Sequence, residues 1–431
     1  MGFIVLINSD QKIKNNIESA FRREHCYDFP MVMMANEKQI LESLNFDLPE
    51  IIILNFGDKK VPYKSMLGQV RKDSWLHSFG IIGLYDGSTQ NEQELMEEVK
   101  DLNVLVMLDY SRIDSHIVKS VKIIAENWQL IYQKDIYSHF MENSSGSFTI
   151  DNDILAVSIY IGIAVTNMVQ KGYLKSESKM HLQLALSELV VNGIEHGHCG
   201  ISFDEKTKFL NMGKSVIDLV SEKCKDPQIA AKRVHFEWDS TISGTIFSIR
   251  DEGEGFDVSN IKEKVKEDDP LSQHGRGILM AEAFSESVKY NDIGNEVKIT
   301  VKHDDSVIRK TPEGFSGEEV IYPGKGDVVF QEDEKGNFLY YIASGRYTVY
   351  HNGKVVGYLS PADLFMGEMA FLLNNKRSAA VYAEEKGKLI KISRKSFVQV
   401  MKRYPHYGIF LSKLLARKIV RANEQHSIEE L

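Results

Sequence analysis

Cysteine is scarce in this chain of 431 residues: Cys26, Cys199 and Cys224 are all there is, an odd number without ligand-like spacing or an even framework. A reducing compartment fits, with each thiol read as a small core hydrophobe. No long hydrophobic run is present either. The apolar start, residues 2–7, is too short for a secretory leader and has no basic region before it. The most apolar later stretch, residues 154–169, contains Ser158, Thr166 and Asn167 and falls short of a spanning helix. No membrane association and a cytoplasmic location are therefore expected. A basic excess is also missing. Lys and Arg number 52 against 61 Asp and Glu, a formal charge of −9, which argues against a nucleic-acid partner because such proteins carry a basic stripe. The same charge fits a solubilising surface and a partner-directed one equally well. Internal repeats and low-complexity tracts are absent from the sequence.

What is there is an ordinary globular composition, 43% apolar and 26% charged, in a chain long enough for about three domains. Residues 1–125 alternate short apolar runs (3–7, 51–56, 80–85 and 104–108) with charged stretches, of which 12–23 has helical periodicity. That alternation predicts a parallel sheet covered on both faces. Residues 113–134 read as a helix linking domains, and Asn143 to Ser147 as a linker by composition, so 126–147 is expected to be a helical linker. A second domain runs over 148–307. Pro312, Gly314 and Gly317 mark the next boundary, and 318–431 begins with short strands and turns at Pro323-Gly324 and Asn352-Gly353. The Asn-Gly pair is a strong hairpin signal. Helices are expected from about residue 394 to 425.

Three motifs in the second domain carry chemistry. Glu188 and Asn192 lie four apart in a helical pattern over 182–196 and so share a face. Asn192 can offer its amide oxygen to Mg²⁺, and Glu188 can orient or deprotonate an attacking hydroxyl. Asp251 follows a buried-type strand over 243–249, with Gly253 and Gly255 beside it. The glycines permit close backbone approach to a planar base, and Asp251 can accept a hydrogen bond from an exocyclic amine. Gly275 and Gly277 precede an apolar helix whose start can hold phosphates.

In this order the three motifs resemble the GHKL ATPase superfamily, and more closely the anti-sigma-factor serine kinases, over residues 148–305. The resemblance implies an α/β sandwich that binds ATP and Mg²⁺. It makes Glu188 the catalytic base, Asn192 the magnesium ligand, Asp251 the adenine reader with Gly253 and Gly255, and Gly275 and Gly277 part of an ATP lid. The implied reaction is γ-phosphoryl transfer to Ser or Thr on a small partner such as an anti-sigma-factor antagonist, or contact with a sigma factor. A nonenzymatic switch that binds both nucleotides and sequesters a regulator stays open. Residues 200–233 are longer than the simple version and are expected to form a partner surface or cover the site. His139 and His181 have no dimerisation-helix context, which disfavours histidine autophosphorylation.

The N-terminal layout resembles a response-regulator receiver domain, a different small α/β domain remaining the alternative. Asn8 and Ser9 stand where that family has an acidic pair, although Asp10 follows. Asn55 stands at the phosphorylated aspartate, and no lysine follows the fifth strand. A phosphorylation-dead interaction domain is expected.

In the third domain Gly367 and Glu368 precede Arg377 and Ser378. A glutamate can take a ribose 2′-hydroxyl while an arginine neutralises a cyclic phosphate, with Gly367 N–H and the Ser378 hydroxyl as further donors. Without an anion, Arg377 is expected to be solvated or paired with Glu368. These residues, with Ala370 and Ala379, resemble the cyclic nucleotide-binding domain over 318–425, which implies a β-barrel with C-terminal helices. Ser378 favours cAMP over cGMP. No helix-turn-helix follows, which disfavours a transcription factor. The apolar stripe of Ile409, Leu411, Leu414, Leu415 and Ile419 fits a homodimer helix, a lid or packing on its own barrel.

Overall fold

The computed structural model describes residues 3–72, 79–127, 144–241, 243–256, 276–304, 307 and 311–416. In the N-terminal domain, β1 (Ile4–Ile7), β2 (Met31–Met34), β3 (Ile51–Asn55), β4 (Gly80–Tyr85) and β5 (Val104–Asp109) form a parallel sheet in the order 2-1-3-4-5. β1 and β3 are buried at every position, the reason they read as continuous apolar runs. Helices α1 (Gln11–Arg23), α2 (Glu37–Glu42), α3 (Tyr63–Lys72), α4 (Glu92–Glu98) and α5 (Ile113–Glu126) alternate with the strands. Asp10, Asn36 and Asn91 cap α1, α2 and α4, each side-chain oxygen accepting from backbone N–H groups of the first turn. A π-turn, Ser43–Asp47, ends at Leu48 with φ +52°.

The second domain opens with β6 (Ser144–Ile150), α6 (Ile154–Gln170) and α7 (Ser176–Asn192). After a π-turn, Gly193–His198, come α8 (Phe203–Asn211), α9 (Val216–Lys223), α10 (Pro227–Ala231), β7 (Val234–Ser240), β8 (Gly244–Arg250), α11 (Arg276–Phe284), β9 (Ser287–Tyr290) and β10 (Glu296–Lys302). The sheet runs 6-7-8-10-9 with antiparallel neighbours, and α6, α7 and α11 pack side by side. Alternating burial along β7 shows that one sheet face is covered.

Of the expected 126–147 linker, residues 128–143 lie outside the described residues, and only its end, 144–147, is corrected here. Ser144 to Ser147 form the first half of β6 and pair with β7. Gly146 has a packing reason: a Cβ there would lie 2.1 Å from the Trp238 ring on the neighbouring strand. Nor does α5 lead outward. It packs on α1 and on α6, and α6 also covers β5, so the first two domains share one continuous core. Buried polar groups pin this junction. The Lys179 ammonium donates to Leu102 O (3.2 Å) and Asn103 Oδ1 (3.1 Å), and Thr166 Oγ1 donates to the same Asn103 oxygen. Burial lowers the Lys179 pKa to about 8.

The third domain contains β11 (Glu319–Ile321), β12 (Val328–Phe330), β13 (Phe338–Ser344), β14 (Tyr347–His351), β15 (Lys354–Leu359), β16 (Phe365–Met366), α12 (Glu368–Leu372), β17 (Ala380–Ala383), β18 (Lys388–Ser393) and α13 (Arg394–Arg403). A final helix, α14, covers 405–416. Two four-stranded sheets, 11-18-13-16 and 12-17-14-15, form the barrel. Asn352 (φ +49°) and Gly353 (φ +73°) make the two-residue loop between β14 and β15 that their sequence announces. Among the described residues, no helix is long and apolar enough to cross a membrane.

Candidate functional site

The first site forms where α7 runs into the π-turn and the end of β8 crosses it. Glu188 and Asn192 are both half-buried near the C-terminal end of α7. The π-turn replaces a continuing helix and makes room for Asp251. A Cβ on Gly197 would stand 2.3 Å from Asp251 Oδ1, and one on Gly193 would be 3.1 Å from Asp251 Cβ. The spacing Gly193–Gly197 is thus the counterpart of Asp251, a link that no linear pattern states. Asp251 N–H donates to Asn295 O (3.0 Å), and Oδ1 accepts from Gly253 N–H (2.7 Å). Burial raises the carboxyl pKa, opposed by the Gly253 N–H. Gly255, at φ +81°, sits beside the Ile293 carbonyl. Gly277 falls in the first turn of α11, whereas Gly275 lies outside the described residues.

Sequence reasoning missed the supports of this site. His198 donates through Nδ1 to Asn152 Oδ1 (2.6 Å), and its Nε2 accepts from Glu252 N–H (3.1 Å). Those two bonds select the neutral tautomer, and burial lowers its pKa to about 4, helped by Lys232. Glu195, 2% exposed, pairs with Lys206 of α8 at 2.6 Å. Residues 200–233 are therefore tied to the π-turn. Their other side meets the N-terminal domain, where Arg112 donates to Asp218 Oδ1 of α9 (2.7 Å) and to Ser215 Oγ (3.1 Å). The Arg112 guanidinium, with Ser215, holds the Asp218 carboxyl at a pKa of about 2.

The second site is built around α12. Gly367, at φ +76°, turns the chain from β16 into α12, whose first residue is the half-buried Glu368. Of the two expectations for Arg377, solvation or a Glu368 partner, solvation is not met, since the side chain is 4% exposed, while Glu368 is among the charges acting on it. Nη1 donates to Gly367 O and Nη2 to Phe338 O, both at 2.6 Å, and the guanidinium lies 4.2 Å from the Phe330 ring centroid. Backbone carbonyls and an aromatic face supply what water would have supplied. Nε, buried, has no partner among the described residues. Burial lowers the Arg377 pKa, against the nearby Tyr340, Glu334 and Glu368, yet guanidinium stays charged. Ser378 is exposed, and its carbonyl accepts from His351 Nδ1 (2.8 Å).

At the C-terminal ends of β1 and β3, Asn55 Nδ2 donates to Asn8 Oδ1 (2.8 Å), while Asn55 Oδ1 accepts from Tyr110 OH (2.7 Å) and Gly57 N–H (3.0 Å). The amides and the phenol close this position.

Residues 161–301 match the family described as histidine kinase-like ATPase domain, and residues 322–404 match the cyclic nucleotide-binding domain. A cyclic AMP receptor protein of Thermus thermophilus is 32% identical over 108 residues, 24% of this chain and 49% of that protein. A cAMP-dependent protein kinase type II regulatory subunit of Drosophila melanogaster is 37% identical over 76 residues, 18% of this chain and 20% of that protein. The crystal structure of the Thermus thermophilus catabolite activator protein aligns with 26% identity and a TM-score of 0.26, covering 27% of this chain and 57% of that one. The chain thus spans about half the length of the first relative and a fifth of the second. It joins a segment matching the histidine kinase-like ATPase domain to one matching the cyclic nucleotide-binding domain, behind an N-terminal parallel α/β domain.

Proposed function

We propose that the chain is a switch that binds ATP with Mg²⁺ and a cyclic nucleotide, cAMP ahead of cGMP, and holds a regulatory protein partner according to its nucleotide state. This reading rests on one inward charged group in each module: Asp251, whose Oδ1 accepts from Gly253 N–H beside Gly193 and Gly197, and Arg377, whose buried Nε has no partner among the described residues. Asp251 would accept the adenine amine, and Asn192 would offer its oxygen to Mg²⁺. Arg377 would neutralise the cyclic phosphate, Glu368 would take the ribose 2′-hydroxyl, and Gly367 and Ser378 would donate. The relatives named for cAMP support that choice of ligand. The partner is a small protein of the anti-sigma-factor-antagonist or sigma-factor kind, met in the cytoplasm. The N-terminal domain is receiver-like and phosphorylation-dead, because Asn55 cannot form an acyl phosphate.

Titration calorimetry with a nonhydrolysable ATP analogue and with cAMP tests the reading. Asp251→Asn raises the analogue Kd by roughly 10–100-fold, as loss of a hydrogen bond to a charged group does, and leaves cAMP binding unchanged. Equal affinity in variant and wild type refutes this assignment of the ATP site.

Glu188 supports a second reading. On the same helical face as Asn192, it would take the proton of a partner's Ser or Thr hydroxyl. The hydroxyl oxygen would then bond the γ-phosphorus as the bond to the ADP oxygen breaks. Label passing from γ-labelled ATP to a partner, and lost in Glu188→Ala, establishes transfer. Tight partner binding without label retains the sequestering switch.

A further inference from the structure

The final helix does not pack on its own barrel alone. Lys413 Nζ donates to Asp47 O (2.6 Å) and lies 3.5 Å from Phe46 O, the carbonyls at the end of the N-terminal π-turn. A cation is favoured there, since a helix end presents unpaired carbonyls. The Phe46 ring meets the His406 ring edge-on at 6.1 Å, and Leu48 packs against the cluster that holds Tyr407, Phe410, Leu411 and Leu414. Ser43 Oγ donates to Asp47 Oδ2 (2.7 Å), bracing the turn.

Each end of this clasp reaches a nucleotide site. On one side, the cluster under α14 also contains Phe365 of β16 and Phe371 of α12, which flank Gly367 and Glu368. A ligand that shifts α12 moves the floor of α14. On the other side, the N-terminal domain holds α9 through Arg112–Asp218, and the neighbouring α8 holds the ATP-site π-turn through Lys206–Glu195. The shared core and the Lys179–Asn103 bonds make the first two domains one packed unit. Packed interfaces change between discrete arrangements and do not deform continuously.

We propose that the N-terminal domain is the relay between the two nucleotide sites, with the Lys413 clasp as its input and the Arg112–Asp218 pair as its output. This rests on the reading that both sites bind nucleotide. A direct contact also exists, with Gly172 near Pro361 and Tyr173 within electrostatic reach of Arg346 and Glu385. It is the rival route.

The test uses the full chain and calorimetric Kd values for a nonhydrolysable ATP analogue, with and without saturating cAMP. Lys413→Glu sets a carboxylate against the Phe46 and Asp47 carbonyls, and Arg112→Glu sets one against Asp218. Both side chains lie outside the nucleotide sites. The wild type is expected to show a cAMP-dependent shift of about five-fold or more, and each variant to bind both ligands normally while the shift falls below about two-fold. Retention of the wild-type shift in both variants overturns the relay and assigns the signal to the direct contact. Binding of both ligands by the wild type without any shift overturns it as well. Failure of the wild type to bind either nucleotide refutes the functional reading, and amide hydrogen exchange then decides the relay separately. Lys413→Glu must raise exchange around residues 215–218 as well as 43–48, and a rise confined to 43–48 overturns it.

Discussion

Asn55 and Arg377 are both polar side chains deep inside a domain, 1% and 4% exposed, and their surroundings treat them oppositely. Asn55 is closed in: Asn8, Tyr110 and Gly57 take both ends of its amide. Arg377 is held in place by two carbonyls and an aromatic ring but, among the described residues, keeps Nε unbonded. A closed network spends its polar groups on stability, whereas an incomplete one carries a standing desolvation cost that an anion would relieve. Closure distinguishes the two positions better than burial or polarity does.

The sharpest way to break this contrast is Arg377→Ala. Truncating one partner of a buried charged pair costs about 2–5 kcal/mol of binding, so the cAMP Kd should rise at least about 30-fold by calorimetry. Stability should also fall, by about 1–3 kcal/mol, because the Gly367 and Phe338 carbonyls lose their donors. A variant that melts early yet binds normally would reverse the assignment. Next in size is His198, another closed group. Its pKa of about 4 lies below the ordinary value, so its contribution is present above pH 6.5 and lost as pH falls toward 4. The loss is on the order of 3 kcal/mol. Urea unfolding of the wild type and His198→Gln across that window should converge at acid pH, and parallel profiles would contradict it.

Asn55→Asp comes third. It trades the amide donor to Asn8 for a buried carboxylate and should cost about 1–3 kcal/mol at neutral pH. The cost should shrink as pH falls, because burial favours the protonated acid. Nucleotide affinity should not move. The smallest effect serves as the control. Gly68 sits inside α3 with no atom within 4 Å of an added Cβ, so Gly68→Ala should raise stability by about 0.5–1 kcal/mol. Differential scanning calorimetry checks both.

Strands β1, β3, β4 and β5 were legible because buried parallel strands are written as unbroken apolar runs. The hairpin at Asn352-Gly353 was legible because a two-residue turn needs left-handed backbone. β2 was not: its four residues are mostly half-buried at the edge of the sheet. Ser144 to Ser147 misled for a related reason, since Gly146, which admits the Trp238 ring, and the serines around it have the composition of a linker. Asp251 and Arg377 could be singled out as candidates, but their geometry could not. The pairing of Gly193 and Gly197 with Asp251, the ion pair of Glu195 with Lys206, and the inward turn of Arg377 join residues distant in sequence or depend on which atoms are left over after folding.

Helix α6 has a consequence for how the protein is made. It is apolar on nearly every side because it serves two domains, covering α5 and β5 on one flank and α7 on the other. The ribosome adds about 5–20 residues per second, so α6 follows α5 out of the exit tunnel only after a delay on the order of seconds. During that interval the completed N-terminal sheet displays an uncovered oily flank to the cell. Nascent chains at this length are where chaperone demand should be greatest, and a gene fragment ending near residue 127 should yield insoluble protein.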